Sequence, residues 1–183
     1  MKKKNYLAIL LVLGMVLGTS GLVMAAEANL RDYNAVIVQD LEVPSGSPAP
    51  ESAGMQMAEK AVYQIKRYNQ DNKLFDIVVK EGGKASKEIT SGKKVLIIKG
   101  EVKEYAPPTV GGRIGRSFIP GVGGHLGSAS FTAHYKFIDK ESEKVIYETD
   151  LQTSSTGAND TVEYAMDRNG EALAKTITKM KGK

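Results

Sequence analysis

Residues 128–138 alternate strictly, and no other segment constrains the fold as tightly. Phe131, Ala133, Tyr135 and Phe137 share one parity, while Thr132, His134 and Lys136 take the other. A period of two places one set on each face of a strand, so this segment is a strand with one face buried and one face wet. Asp139-Lys140-Glu141-Ser142-Glu143 then reads as a hairpin turn. A second strand follows over 144–153, with Val145, Tyr147 and Leu151 expected inward and Glu148, Asp150 and Gln152 outward. A wet face on two adjacent strands requires an antiparallel sheet covered on one side only.

The rest of the chain supplies the cover. A strand within 33–43 carries Ala35-Val36-Ile37-Val38, apolar on both faces as in a central, doubly covered position. Pro44, Gly46, Pro48 and Pro50 end it in a loop. A helix is predicted from about Ser52 to Asn69, with Met55, Ala58, Val62 and Ile65 as its buried stripe. Leu74–Lys80 reads as a short strand with Phe75, Ile77 and Val79 on one face, and 81–92 as a polar loop. Lys94–Tyr105 is a third strand, Leu96, Ile98, Gly100 and Val102 facing away from Lys99, Glu101 and Lys103. A last helix starts near Asp160, an expected N-cap that Glu163 completes as a capping box. Its apolar face is Val162, Met166, Leu173, Ile177 and Met180, and Gly170 is expected to permit close approach to the sheet. The order β-α-β-β-β-β-α predicts an α+β two-layer sandwich: a mixed five-stranded sheet with helices on one face.

Met1-Lys2-Lys3-Lys4 precedes an apolar run from Leu7 to Met24 and then Val23-Met24-Ala25. A charged start, a short apolar run and small residues at a cleavage position make a secretory signal peptide. Residues 1–25 are read as this signal, 26–32 as a short polar lead and 33–183 as a single α+β domain. The whole chain has 25 Lys+Arg against 21 Asp+Glu, and a pI near 9.1. Without Lys2, Lys3 and Lys4 the balance is 22 against 21. A near-neutral chain has no electrostatic footprint for nucleic acid. With no Cys among the 183 residues there is no thiol chemistry, no disulfide scaffold and no N-terminal cysteine to lipidate. The expected compartment is therefore periplasmic or extracellular, with no membrane span left after cleavage.

The opening strand Ala35–Val43, the run Leu96–Tyr105, Arg113 and Arg116 before Gly121, Gly123, Gly124 and Gly127-Ser128-Ala129, and Phe137-Ile138-Asp139 together resemble an exported bacterial family, domain of unknown function forty-four-ten. The resemblance covers nearly all of the chain after the signal. In fold it is also similar to the N-terminal domain of TolB and to curli-secretion and penicillin-binding-protein-activator lipoproteins. It implies envelope assembly and protein contacts, and it brings no catalytic residues.

The motifs that could carry chemistry fail on context. Gly111-Gly112-Arg113-Ile114-Gly115-Arg116-Ser117 lacks the first Gly of a phosphate loop, has Arg for Lys, and precedes a strand instead of a helix. Gly121-Val122-Gly123-Gly124-His125-Leu126 lacks the third Gly of a dinucleotide fingerprint and sits in no βαβ unit. His125 and His134, nine residues apart without a carboxylate cluster evident in the sequence, make a poor metal site. No nucleophile elbow supports a Ser-His-Asp triad. No cofactor is expected. The polar row Lys99, Glu101, Lys103, His134, Lys136, Glu148 and Asp150 is read as a solvated, charge-paired face, or else as a partner surface.

Residues 106–127 hold two of the five Arg and no acidic residue, among three Pro and seven Gly. Connections this long without their own pattern are functional or disordered. Arg113, Arg116, Phe118, Ile119 and His125 are accordingly the candidate partner-binding residues, the guanidinium groups gripping carboxylates or phosphates. An envelope protein or an acidic envelope polymer is the expected partner. The bland alternative folds both Arg back onto Glu101 or Glu104. Two functions compete: an exported interaction or assembly-accessory module without catalysis, and a small-ligand binder or enzyme using the Gly-rich loop as a lid. A membrane-inserting hairpin is disfavoured, because the loop lacks the sustained alternation of a bilayer-crossing strand. Mass spectrometry of the exported protein should show an N-terminus at Ala26 or Glu27; intact Met1–Ala25 on purified membrane-bound protein would make the segment an anchor.

Overall fold

The structure, a computed structural model, describes residues 29–83, 92–109, 127–155 and 160–183. Five strands form one sheet: β1 (Ala35–Val38), β2 (Ile77–Lys80), β3 (Val95–Ala106), β4 (Ser130–Asp139) and β5 (Val145–Ser154), in the order β2-β1-β3-β4-β5. Two helices, α1 (Ala53–Asn72) and α2 (Val162–Met180), pack on one face. The fold is the α+β two-layer sandwich read from the sequence, and the signal segment 1–25 lies outside the described residues.

β1 is parallel to both β2 and β3, and β3, β4 and β5 run antiparallel to one another. α1 is the crossover that parallel β1 and β2 require. All four residues of β1 are buried. The strand coincides with the apolar run Ala35–Val38 within the 33–43 segment, and the chain rejoins the sheet as a bridge between Glu42 and Glu101.

Val36, Val38, Leu96, Ile98, Val102, Phe131, Ala133, Tyr135 and Phe137 face the helices in one core. Leu30, just ahead of β1, is fully buried there too, its N–H donating to the Met180 carbonyl at 3.1 Å. Tyr135 is fully buried, and its hydroxyl donates to Asn169 Oδ1 at 2.7 Å. Asn169 Nδ2 in turn donates to the Leu151 carbonyl at 2.8 Å, so a buried polar side chain is satisfied on both sides.

Five expectations need correction. The buried stripe of α1 is Ala53, Gly54, Met57, Ala58, Ala61, Gln64 and Ile65, while Met55 is 43% exposed. Small residues set this face: a Cβ on Gly54 would sit 1.8 Å from the Leu41 carbonyl oxygen, so the helix turns its least bulky side to the sheet. Gly170 brings α2 close to α1, not to the sheet; its Cβ would lie 3.1 Å from the Lys60 carbonyl oxygen. Phe75 does not share a face with Ile77 and Val79. It precedes β2, in the helix-side core, where Asn69 Oδ1 accepts from its N–H at 2.8 Å and Asn69 Nδ2 donates to its carbonyl at 2.9 Å. Val145 is 46% exposed because a bulge shifts the β4–β5 register between Phe137 and Ile138, which moves Val145 out of phase with Tyr147. Asp160 is not the N-cap of α2. Thr161 is, its hydroxyl accepting from the Tyr164 N–H at 3.2 Å. Asp160 accepts from the Ala129 N–H at 2.9 Å and from the Ser155 hydroxyl, tying the start of β4 to the end of β5.

Phe131 is fully buried and Lys136 lies on the opposite face. Phe131→Ala should cost about 3–5 kcal/mol, and Lys136→Ala should stay within about 0.5 kcal/mol. Urea denaturation of both variants checks the register, since equal small effects would contradict it.

Candidate functional site

The face of the sheet away from the helices divides in two. Over β2, β1 and the start of β3 it is apolar: Ala35, Ile37 and Val95 are buried there, with Ile77 and Val79 packed against them. Over the rest of β3, β4 and β5 it is polar. Glu101 stands opposite His134, Lys99 opposite Lys136, His134 opposite Asp150 and Lys136 opposite Glu148.

Side chains directly opposite in an antiparallel pair interact, and this row uses that fully. His134 Nδ1 lies 2.7 Å from Asp150 Oδ1, and Nε2 lies 3.5 Å from Glu148. Lys136 Nζ is 3.7 Å from Glu148, and Lys103 Nζ is 3.2 Å from Glu101. A bulge between Val102 and Glu104 turns Glu104 onto this face. Its carboxylate accepts from the Ser130 hydroxyl at 2.7 Å, the Thr132 hydroxyl at 2.9 Å and Gln152 at 3.4 Å. The sequence signal for Glu104 was weak, because regular alternation assigns it to the inner face.

One end of the domain gathers a second set of groups. Asp139 closes β4, accepting from the Tyr33 hydroxyl at 2.8 Å, the Ser142 N–H at 2.8 Å, the Ser142 hydroxyl at 2.9 Å and the Glu141 N–H at 3.1 Å. The Ser142 N–H and the Tyr33 hydroxyl hold its pKa down to about 2. Burial, with the Asp139 carboxylate beside it, raises the Tyr33 phenol. Lys181 donates to the Tyr33 carbonyl at 2.6 Å and lies 4.6 Å from the centre of the Phe75 ring. Burial lowers its pKa, against the pull of Asp32 and Asp76. A surface cleft of about 470 Å³ opens nearby, walled by Arg31, Tyr147, Thr176, Lys179 and Met180. Its cations sit beside the C-terminal end of α2, where Lys and Arg complement the helix dipole.

The structure therefore brings together the charged row of β3, β4 and β5. Arg113, Arg116, Phe118, Ile119 and His125 lie outside the described residues. Among the described residues no group of three or more His, Cys, Asp or Glu is placed to hold a metal ion, and no helix is long and apolar enough to cross a membrane.

No family profile matches the chain, and no curated protein does. Solved structures do. The chain is similar to the PelC dodecamer from Paraburkholderia phytofirmans, with a TM-score of 0.53, 11% identity, and coverage of 81% of this chain and 91% of that one. A substituted form of the same dodecamer gives a TM-score of 0.54 at 11% identity, covering 82% and 90%. A protein from Xanthomonas campestris, of domain-of-unknown-function family 330, aligns with a TM-score of 0.42 and 10% identity over 83% of this chain and 84% of that one. At 11% identity, the likeness to PelC shows a shared fold.

The Asp139 carboxylate has a folded-state pKa of about 2, against roughly 3.9 in an unfolded chain. A lowered carboxylate pKa stabilises above the unfolded value, and that contribution is lost as pH falls towards the folded one. Asp139→Asn should therefore be less stable than wild type at pH 7. The gap should close between about pH 4 and pH 2, as followed by urea denaturation at each pH.

Proposed function

We propose that this chain is an exported accessory module that works by assembling with other protein chains and carries out no chemistry of its own. The observation that carries this reading is the charged half of the sheet face turned away from the helices. There His134, Lys136, Glu104, Glu148 and Asp150 are engaged by neighbouring strands. Groups held this way present a fixed charge pattern to a partner, whereas a catalytic acid, base or nucleophile must be poised toward a substrate. The shared fold with PelC, solved as a dodecamer, supports assembly as the mode of action. The charged start, short apolar run and small residues of the N-terminal segment support export to the envelope as the place. The Arg113 and Arg116 region is proposed as a second contact element toward an acidic partner surface, on the strength of its composition.

Cross-linking in intact cells tests the reading. The expected result is a discrete adduct of defined stoichiometry containing this chain, weakened by Arg113→Ala/Arg116→Ala in a protein of unchanged melting temperature. A chain that yields no adduct, and whose melting temperature rises strongly with one small molecule, would instead be a ligand binder with the Gly-rich segment as its lid.

A further inference from the structure

Three segments meet where α2 ends, and each brings a cation. Arg31 comes from the lead into β1, Lys73 from the end of α1, and Lys179 and Lys183 from the last turn of α2 and the residues after it. The cleft of about 470 Å³ walled by Arg31, Tyr147, Lys179 and Met180 adjoins a second of about 380 Å³ walled by Arg31, Lys73, Lys181 and Lys183. Arg31 and Gly182 belong to both, so the two clefts meet there. Each is within the roughly 300–1,000 Å³ of small-ligand sites. Among the described residues no Asp or Glu lines either one.

The dipole of α2 accounts for these charges only in part. The carbonyls of Ile177, Thr178, Lys179 and Met180 already accept backbone N–H groups, from Lys181 at 2.9 Å, Lys183 at 3.2 Å, Gly182 at 2.9 Å and Leu30 at 3.1 Å. A helix end carries its partial charge on unsatisfied carbonyls, and here all four are taken. Arg31 is held in place yet has a free guanidinium. Its N–H donates to Asn29 Oδ1 at 2.9 Å, and Lys181 Nζ donates to its carbonyl at 3.4 Å. The guanidinium lies against Gly182, where a Cβ would come within 2.5 Å of Nη2. Among the described residues it has no ion pair; Asp76 is held by Lys93 at 2.6 Å and Asp139 by Tyr33 and Ser142. Lys73 stands at φ 51 and ψ 50, a left-handed position after a helix that Gly or Asn ordinarily fills. A Lys there forgoes backbone ease and places an ammonium group on the second cleft.

We infer that the two clefts form one binding site for a ligand carrying at least two phosphate or carboxylate groups. The Arg31 guanidinium takes one group where the clefts meet, and Lys179 on one side or Lys73 on the other takes the next. A guanidinium grips either oxyanion through two parallel N–H bonds, and Lys adds a point charge. Tyr147 and Met180 give the first cleft an apolar wall for the body of the ligand. None of these residues belongs to the charged row of β3, β4 and β5, so the site stands apart from the assembly reading.

Isothermal titration calorimetry of the exported full chain at physiological ionic strength tests it, with tripolyphosphate as the phosphate probe and citrate as the carboxylate probe. At least one should bind with a Kd below millimolar, and a preference of about tenfold between them names the anionic group. Arg31→Ala should weaken binding about tenfold, the loss of one charge-assisted contact. Lys73→Gly should weaken it about threefold while raising the melting temperature, because Gly suits the left-handed backbone. That pairing separates lost affinity from lost folding. Lys66→Ala removes the same charge from the exposed side of α1, lines neither cleft, and should leave the Kd within about twofold of wild type. Failure of both probes to bind below millimolar overturns the site. So does wild-type affinity in Arg31→Ala and Lys73→Gly, or a Lys66→Ala loss as large as that of Arg31→Ala, which would be attraction to net charge alone. None of these outcomes touches the assembly reading, which the cross-linking experiment decides by itself.

Discussion

The buried link from Tyr135 to Asn169 fixes the relation between the two layers. Tyr135 Oη donates to Asn169 Oδ1, and the Asn169 amide donates to the Leu151 carbonyl and, at 3.3 Å, to the Thr153 hydroxyl. One side chain on α2 thereby holds β4 and β5 in register beneath the helix. The penalty for an unpaired buried polar group is about 1–3 kcal/mol, so a helix slipped by one residue would lose this link as well as apolar contact. Phe131, Ala133 and Phe137 flank the link on the same strand and supply the non-directional part of the attraction.

Close approach of the remaining elements depends on missing side chains. Gly54 lets α1 meet the Leu41 carbonyl, and Gly170 lets α2 meet α1 at Lys60. Gly100 does the same inside the sheet, since a Cβ there would sit 2.1 Å from the His134 carbonyl oxygen. With both helices committed to one face in this way, the opposite face of the antiparallel half is left to polar side chains. The structural economy of the fold and its candidate interaction surface thus have a common origin.

Much of this was legible in the sequence, where a period of two needs no tertiary information. The inner set Phe131, Ala133, Tyr135 and Phe137, the charged row that opposes it and the element order all follow from alternation and turn residues. Of the α1 stripe, Ala58 and Ile65 are buried and Val62 packs on the core, while Met55 is exposed, because apolar periodicity does not foresee that Ala53, Gly54 and Ala61 are used for close approach. The candidate residues between 110 and 126 rest on composition alone.

What the sequence determined by itself was which residues can share a face. What only the tertiary structure decided was where that phase breaks. The bulges at Glu104 and before Tyr147 arise from how two strands twist against each other, and neither strand carries that information alone. Asp160 makes the same point at smaller scale. Its spacing to Glu163 suits a helix cap, yet its carboxylate is taken by Ala129 and Ser155, partners 31 and 5 residues away along the chain.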